Sequence, residues 1–115
     1  AFPLWLGGMP AKLRAFFEQV ARDEFFLAKA DSANQWPLKM MKGKSARTVI
    51  TMGMPGLVYW FGMDAGALRA LERGVLGLSG FGPLHHTILG GAGDIDEAKF
   101  KRWCTDMRIF GREAA

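Results

Sequence analysis

The run ARTVITM at residues 46–52 is apolar or β-branched apart from Arg47, and it lacks the strict polar alternation of a strand with one wet face. That pattern predicts a strand buried on both faces, as in a parallel sheet. Gly53, Pro55 and Gly56 end it, because proline cannot donate to a ladder and glycine admits positive φ. Beyond them Leu57, Val58, Tyr59, Trp60, Phe61 and Met63 crowd together, too apolar for a solvated connection. A loop at the carboxyl end of a parallel strand is where open α/β sheets bind ligands, and aromatic residues there suit a flat ring. The alternative, that these side chains fill core or a subunit interface, stays open at this point.

The remaining elements follow from the same patterning. Residues 1–6 are apolar and are followed by Gly7, Gly8 and Pro10, which reads as the tail of a strand and implies an upstream portion before Ala1. Leu13, Phe16, Phe17, Val20 and Ala21 recur at spacings of 3, 4, 7 and 8, the apolar face of a helix opened by Pro10. Between 23 and 45 the periodicity fails: Phe25, Phe26, Trp36, Met40 and Met41 are scattered among polar residues, predicting a long irregular connection that covers a site or an interface. Asp64 is placed to cap a second helix whose stripe is Leu68, Leu71, Val75 and Leu78. Gly80, Gly82 and Pro83 break it before a strand at 84–89, LHHTIL, which Gly90, Gly91 and Gly93 end. Asp94 with Glu97 approximates a capping box for a last helix with the stripe Phe100, Trp103, Met107 and Phe110, and Gly111 is its expected stop. The order is strand end, helix, strand, helix, strand, helix, an α/β pattern with a parallel sheet and right-handed crossovers.

Composition narrows the function. With 115 residues, half of them apolar and 23% charged, the chain is one domain or part of one and can bury a core. No apolar run approaches the roughly 18 residues that span a bilayer, so no membrane insertion is expected, and no signal-peptide pattern is present. The single Cys104 excludes a disulfide framework and suits a reducing compartment, with the cytoplasm as the expected location. A net charge of +4 raises nucleic acid as a partner, but the densest basic cluster is only Lys39, Lys42, Lys44 and Arg47, which a solvated loop explains, so no nucleic-acid binding is expected.

Neither glycine cluster makes a phosphate loop: Gly77, Gly80 and Gly82 follow a helix, and Gly90, Gly91 and Gly93 lack both the third glycine of a dinucleotide fingerprint and the lysine of a P-loop. His85 and His86 are adjacent in a strand, face opposite sides and cannot share a metal. Cys104 reads as a small hydrophobe beside a buried stripe. With no hydrolytic triad in evidence, the chemistry falls to a cofactor. The loops at 2–10 (FPLWLGGMP) and 51–59 (TMGMPGLVY) leave strand carboxyl ends and combine backbone amides with large apolar side chains. Glycine-rich backbone can approach ring oxygens and nitrogens, and Trp5, Leu6 or Tyr59 can lie against a ring system, which favours a flavin among flat ligands.

At these loops the chain resembles the flavodoxin-like NAD(P)H dehydrogenases (quinone), through residues 2–20, 51–59 and the segment ALRALERGVLGLSGF at 67–81. The resemblance implies a flavodoxin-like doubly wound parallel sheet of strand order 2-1-3-4-5, in which residues 1–115 are the C-terminal portion of a single domain, starting at the end of strand 3. It implies a homodimer with sites at the subunit interface, and hydride transfer from NAD(P)H through FMN or FAD to a quinone or similar acceptor. Pro3, Leu4, Trp5 and Leu6 match the family's loop beside the flavin ring, Thr51, Gly53 and Met54 match the second ring loop, and Tyr59 matches a catalytic tyrosine near the substrate. Two departures stand out. Met63 and Asp64 occupy the neighbourhood where relatives place a proton-relay histidine, and the family's phosphate loop would lie before Ala1. The alternative is a non-catalytic flavodoxin-like module, or truncated remnant, that acts by protein–protein association.

Overall fold

The computed structural model describes residues 1–21, 25–28 and 38–114. In chain order its elements are β1 (Phe2–Pro3), α1 (Ala11–Val20), β2 (Leu27–Ala28), β3 (Leu38–Lys39), β4 (Ala46–Thr51), α2 (Gly56–Gly62), α3 (Gly66–Arg69) running directly into a π-helical segment (Ala70–Gly77), β5 (Leu84–Leu89) and α4 (Glu97–Glu113). The β-branched run is the centre of a three-stranded parallel sheet of order β1-β4-β5. Its register sets Phe2 against Ile50 on one side, and Ala46 against Leu84 through Thr51 against Leu89 on the other.

The two faces of β4 are unequal. Thr48 and Ile50, with Met52 just past the strand, are buried, whereas Arg47, Val49 and Thr51 are half-buried. The buried face meets Tyr59, Leu68, Leu71 and Leu76 in one cluster, with Leu13 and Phe17 of α1 packed against it. Removing an isoleucine such as Ile50 from water is worth about 1.5–3 kcal/mol, so this face fixes the register. On the other face the Arg47 guanidinium lies 3.9 Å from the centroid of the Phe110 ring of α4 and donates to Thr87 Oγ1 at 2.8 Å. Arg47 therefore belongs to the packing of α4 rather than to a basic surface cluster.

Several elements differ from their sequence expectation. Phe16 is exposed, because the contact of α1 is the narrower Leu13–Phe17 stripe. Within the segment expected to be irregular, β2 and β3 pair antiparallel, Leu27 against Lys39 and Ala28 against Leu38; Trp36 lies outside the described residues. Phe26 is buried edge-on to Phe81, and the Met41 amide donates to the Ser79 carbonyl at 2.9 Å, which ties this connection to the end of the π-helical segment. The apolar stretch after Pro55 is the helix α2 and not a loop. Asp64 caps nothing: it has φ +54°, the N-cap of α3 is Ala65 at φ +49°, and the Asp64 carboxylate instead meets Arg69 at 3.2 Å. In α4 the cap is Asp96, whose carboxylate accepts from the Lys99 amide at 2.7 Å, and Gly111 lies inside the helix, which ends at Ala114 in the left-handed conformation.

Candidate functional site

The carboxyl ends of β1, β4 and β5 lie side by side because the strands are parallel, and each opens into a loop containing glycine. Past β1, Trp5 and Gly8 exchange two backbone hydrogen bonds, of 3.0 and 2.8 Å, across Leu6 at φ +48° and Gly7 at φ +75°. Left-handed φ at both central residues makes this a type I′ turn, whose first central position favours Asn, Asp or Gly. A leucine there costs roughly 1–2 kcal/mol. It gains nothing by burial, since Leu6 is fully exposed and Trp5 beside it is 64% exposed. Backbone strain under exposed apolar side chains at a strand's carboxyl end is the pattern of a binding loop.

The loop after β4 is held by the loop after β5. The Met52 amide donates to Leu89 O at 3.1 Å, the Ala92 amide to Met52 O at 2.8 Å and the Gly91 amide to Met54 O at 3.0 Å. A Cβ on Gly90 would lie 2.5 Å from the Gly56 nitrogen, so this approach of two backbones requires glycine. Gly90, Gly91 and Ala92 thus hold the loop after β4, a use the sequence did not expose, since there the glycines read only as breakers. Clamped in this way, Gly53 and Met54 keep their amides without a partner among the described residues. Gly53 is exposed, with nothing within 4 Å of the position of a Cβ.

The sequence candidates divide by what holds them. The Leu4 amide donates to Thr51 O at 2.8 Å, and Pro3 faces Thr51 in the ladder, so these three residues join the two loops at their roots. Leu4 and Met54 pack against the core and anchor their loops. Trp5, Leu6 and Gly53 are exposed at the same end of the sheet. Met63, just past α2, comes within 3.6 Å of where a Gly7 Cβ would lie, which brings the end of α2 against the Trp5–Leu6 turn. Tyr59 is buried, 0% exposed, and its hydroxyl accepts from the Leu68 amide at 3.0 Å within the core.

Other polar groups lie apart from these loops. His86 Nδ1 is 3.1 Å from Glu72 Oε1 and its ring is 5.5 Å from that of Trp60, while the register puts His85 on the opposite face with Arg47. Among the described residues no three His, Cys, Asp or Glu side chains gather as a metal site, and no helix is long and apolar enough to cross a membrane. Cavities of about 350 and 280 Å³ lie between α4 and β4 and between α1 and the π-helical segment; Trp5, Leu6, Gly53 and Met54 line neither.

Parallel strands with helical crossovers and a ligand-competent carboxyl edge define a doubly wound α/β protein. The sequence profile of the family described as having a flavodoxin-like fold matches residues 1–107, and the chain belongs to that family. No curated protein sequence matches it. Among solved structures it is similar to Smu.1420 from Streptococcus mutans UA159, with 24% identity and a TM-score of 0.80 over 97% of this chain and 57% of that one. It is also similar to an NAD(P)H:quinone oxidoreductase from Methanothermobacter marburgensis, with 20% identity and a TM-score of 0.71 over 98% of this chain and 53% of that one. The chain spans little more than half the length of either structure, and at these identities the likeness is one of fold.

Proposed function

We propose that the protein is a flavin-dependent oxidoreductase, in which NAD(P)H is the hydride donor and a quinone or similar small molecule the acceptor. The observation that carries this reading is the pairing, at one end of the sheet, of the partnerless Gly53 and Met54 amides with the exposed, strained Trp5–Leu6 turn. The residues fit an isoalloxazine ring in kind: Trp5 and Leu6 supply a flat apolar contact and exclude water, and two backbone donors suit the electronegative edge of its pyrimidine. FMN or FAD, when bound, supplies the two-electron redox chemistry. The Gly53 and Met54 amides would stabilise negative charge at that edge, and because Gly90 and Gly91 clamp their loop they would do so without reorganising. The start of α4 is not free for the cofactor's phosphate, because the Asp96 carboxylate already accepts from the Lys99 amide in its first turn. The similarity to an NAD(P)H:quinone oxidoreductase supports the choice of reaction.

The same reading includes a second copy of the chain. Leu57, Val58 and Phe61 form an exposed apolar face on α2, next to the loop that carries the free amides. A homodimer covering this face would close the ring site from outside and exclude water from it.

The reading is tested by adding FMN or FAD to the purified protein and following NADH and NADPH oxidation with a quinone acceptor. Trp5→Ala is expected to weaken flavin binding by about tenfold through the lost ring contact, while leaving the fold intact, because Trp5 is exposed. A protein that binds no flavin and oxidises neither nicotinamide would overturn the oxidoreductase reading.

A further inference from the structure

The bend between α2 and α3 holds two consecutive non-glycine residues in the left-handed region, Asp64 at φ +54° and Ala65 at φ +49°. Such residues persist only where their surroundings over-determine them. The N-cap of α3 is Ala65, which has no side-chain oxygen to offer, so the amides of the first turn lack the usual Ser, Thr, Asp or Asn acceptor. One residue supplies what the bend needs. The Tyr59 carbonyl accepts from the Met63 amide at 3.3 Å and from the Ala65 amide at 3.0 Å, and the Tyr59 hydroxyl accepts from the Leu68 amide at 3.0 Å. Leu68 is the third helical residue after the cap, the position a capping side chain ordinarily serves.

We infer that Tyr59 is a positioning residue: its buried hydroxyl stands in for the missing N-cap of α3, and by fixing the bend it holds Met63 against the Trp5–Leu6 turn. The path is physically continuous. Tyr59 sets the 63–65 bend, Met63 lies at 3.6 Å from the Cβ position of Gly7, and Gly7 is the second central residue of the turn that carries Leu6. In this role the phenol neither gives nor takes a proton during turnover. The consequence for cofactor binding rests on the proposed flavin reading; the consequence for the bend does not.

The experiment compares the parent chain with Tyr59→Phe, which deletes the hydroxyl and keeps the ring, and with Tyr59→Phe/Asp64→Gly, which also removes strain from the bend. Two readouts use NMR without ligand: hydrogen exchange at the Leu68 amide, and the nuclear Overhauser contact between the Met63 ε-methyl and Gly7. Tyr59→Phe is expected to speed Leu68 exchange by about tenfold relative to Ile50, as loss of a helix cap predicts, and to weaken the Met63–Gly7 contact. Asp64→Gly in the same chain is expected to restore that contact in part, because glycine holds a left-handed bend at no steric cost. A third readout is FMN affinity and steady-state kinetics, where Tyr59→Phe is expected to weaken FMN binding about fivefold and to leave the pH profile of kcat unchanged. Unchanged Leu68 exchange and an unchanged Met63–Gly7 contact would overturn the inference. So would a fall in kcat with an altered pH profile and no change in FMN affinity, which would make the hydroxyl a proton donor. If the parent binds no FMN, the flavin reading falls while the two ligand-free readouts still decide the role of Tyr59.

Discussion

Single residues decide how close the loops of this site come to one another. Gly90 is the sharpest case, since a Cβ there would meet backbone, the Gly56 nitrogen at 2.5 Å and the Met54 oxygen at 3.1 Å, and backbone cannot swing aside as a side chain does. Gly90→Ala is therefore expected to destabilise the protein by about 1–3 kcal/mol, read as a lowered midpoint in urea denaturation, and to displace the Gly53 and Met54 amides. A variant as stable as the parent would show that the two loops are not in contact. The sequence disclosed the glycines at 90, 91 and 93 but not their use, because the contact they permit joins positions over thirty residues apart. The resemblance gives Tyr59 as a tyrosine near the substrate; the acceptor it provides to Leu68 follows from a bend whose left-handed φ values no local rule predicts for Asp64 and Ala65.

Secondary-structure elements were legible where one period ran uninterrupted. The strand at 84–89 and the start of β4 at Ala46 stand where patterning put them, since β-branched runs bounded by glycine and proline leave few alternatives. In the helix after Asp64 the expected stripe holds at its start, Leu68 and Leu71, and fails at its end, Leu78. From Ala70 the chain takes π-helical turns, with bonds from i to i+5, so the buried face slips: Leu76 is buried and Leu78 is exposed. A 3.6-residue period cannot foresee that slip. Leu76→Ala is accordingly expected to cost about 2–5 kcal/mol and Leu78→Ala about 0.5 kcal/mol or less, measured by chemical denaturation; the reverse order would contradict the π-helical register. In α4, Gly111 is an interior residue with nothing within 4 Å of its Cβ position. Gly111→Ala should stabilise the protein by about 1 kcal/mol, seen as a raised thermal midpoint, where a true C-terminal stop would have been destabilised by the same change.

For the molecule as a whole, the fold was readable because alternating strand and helix patterns admit few topologies, and the family match over residues 1–107 agrees with the parallel sheet so derived. The site was readable only to the level of its loops. Sequence placed Trp5, Leu6, Gly53 and Met54 at strand ends, but which amides stay free depends on the clamp from the β5 loop, a tertiary fact. Phe61 is 86% exposed and Leu57 70% exposed on one face of α2, so Phe61→Lys leaves the fold undisturbed and is expected to shift a dimer toward monomer in sedimentation velocity. Equal sedimentation of variant and parent would place any dimer contact elsewhere.

Whether the end of the sheet bearing the Trp5–Leu6 turn and the Gly53 and Met54 amides receives a flavin ring is decided by titrating the chain with lumiflavin while recording amide and indole resonances. Lumiflavin carries the ring without the phosphate, so the measurement isolates the surface in question. Shifts are expected to concentrate at the Trp5 indole and at the amides of Leu6, Gly53 and Met54, with none at Lys42 and Lys44, which lie just before the amino end of β4 at the opposite end of the sheet. Shifts confined to the amino ends of the strands, or no shift at any residue up to the solubility limit of lumiflavin, would contradict it.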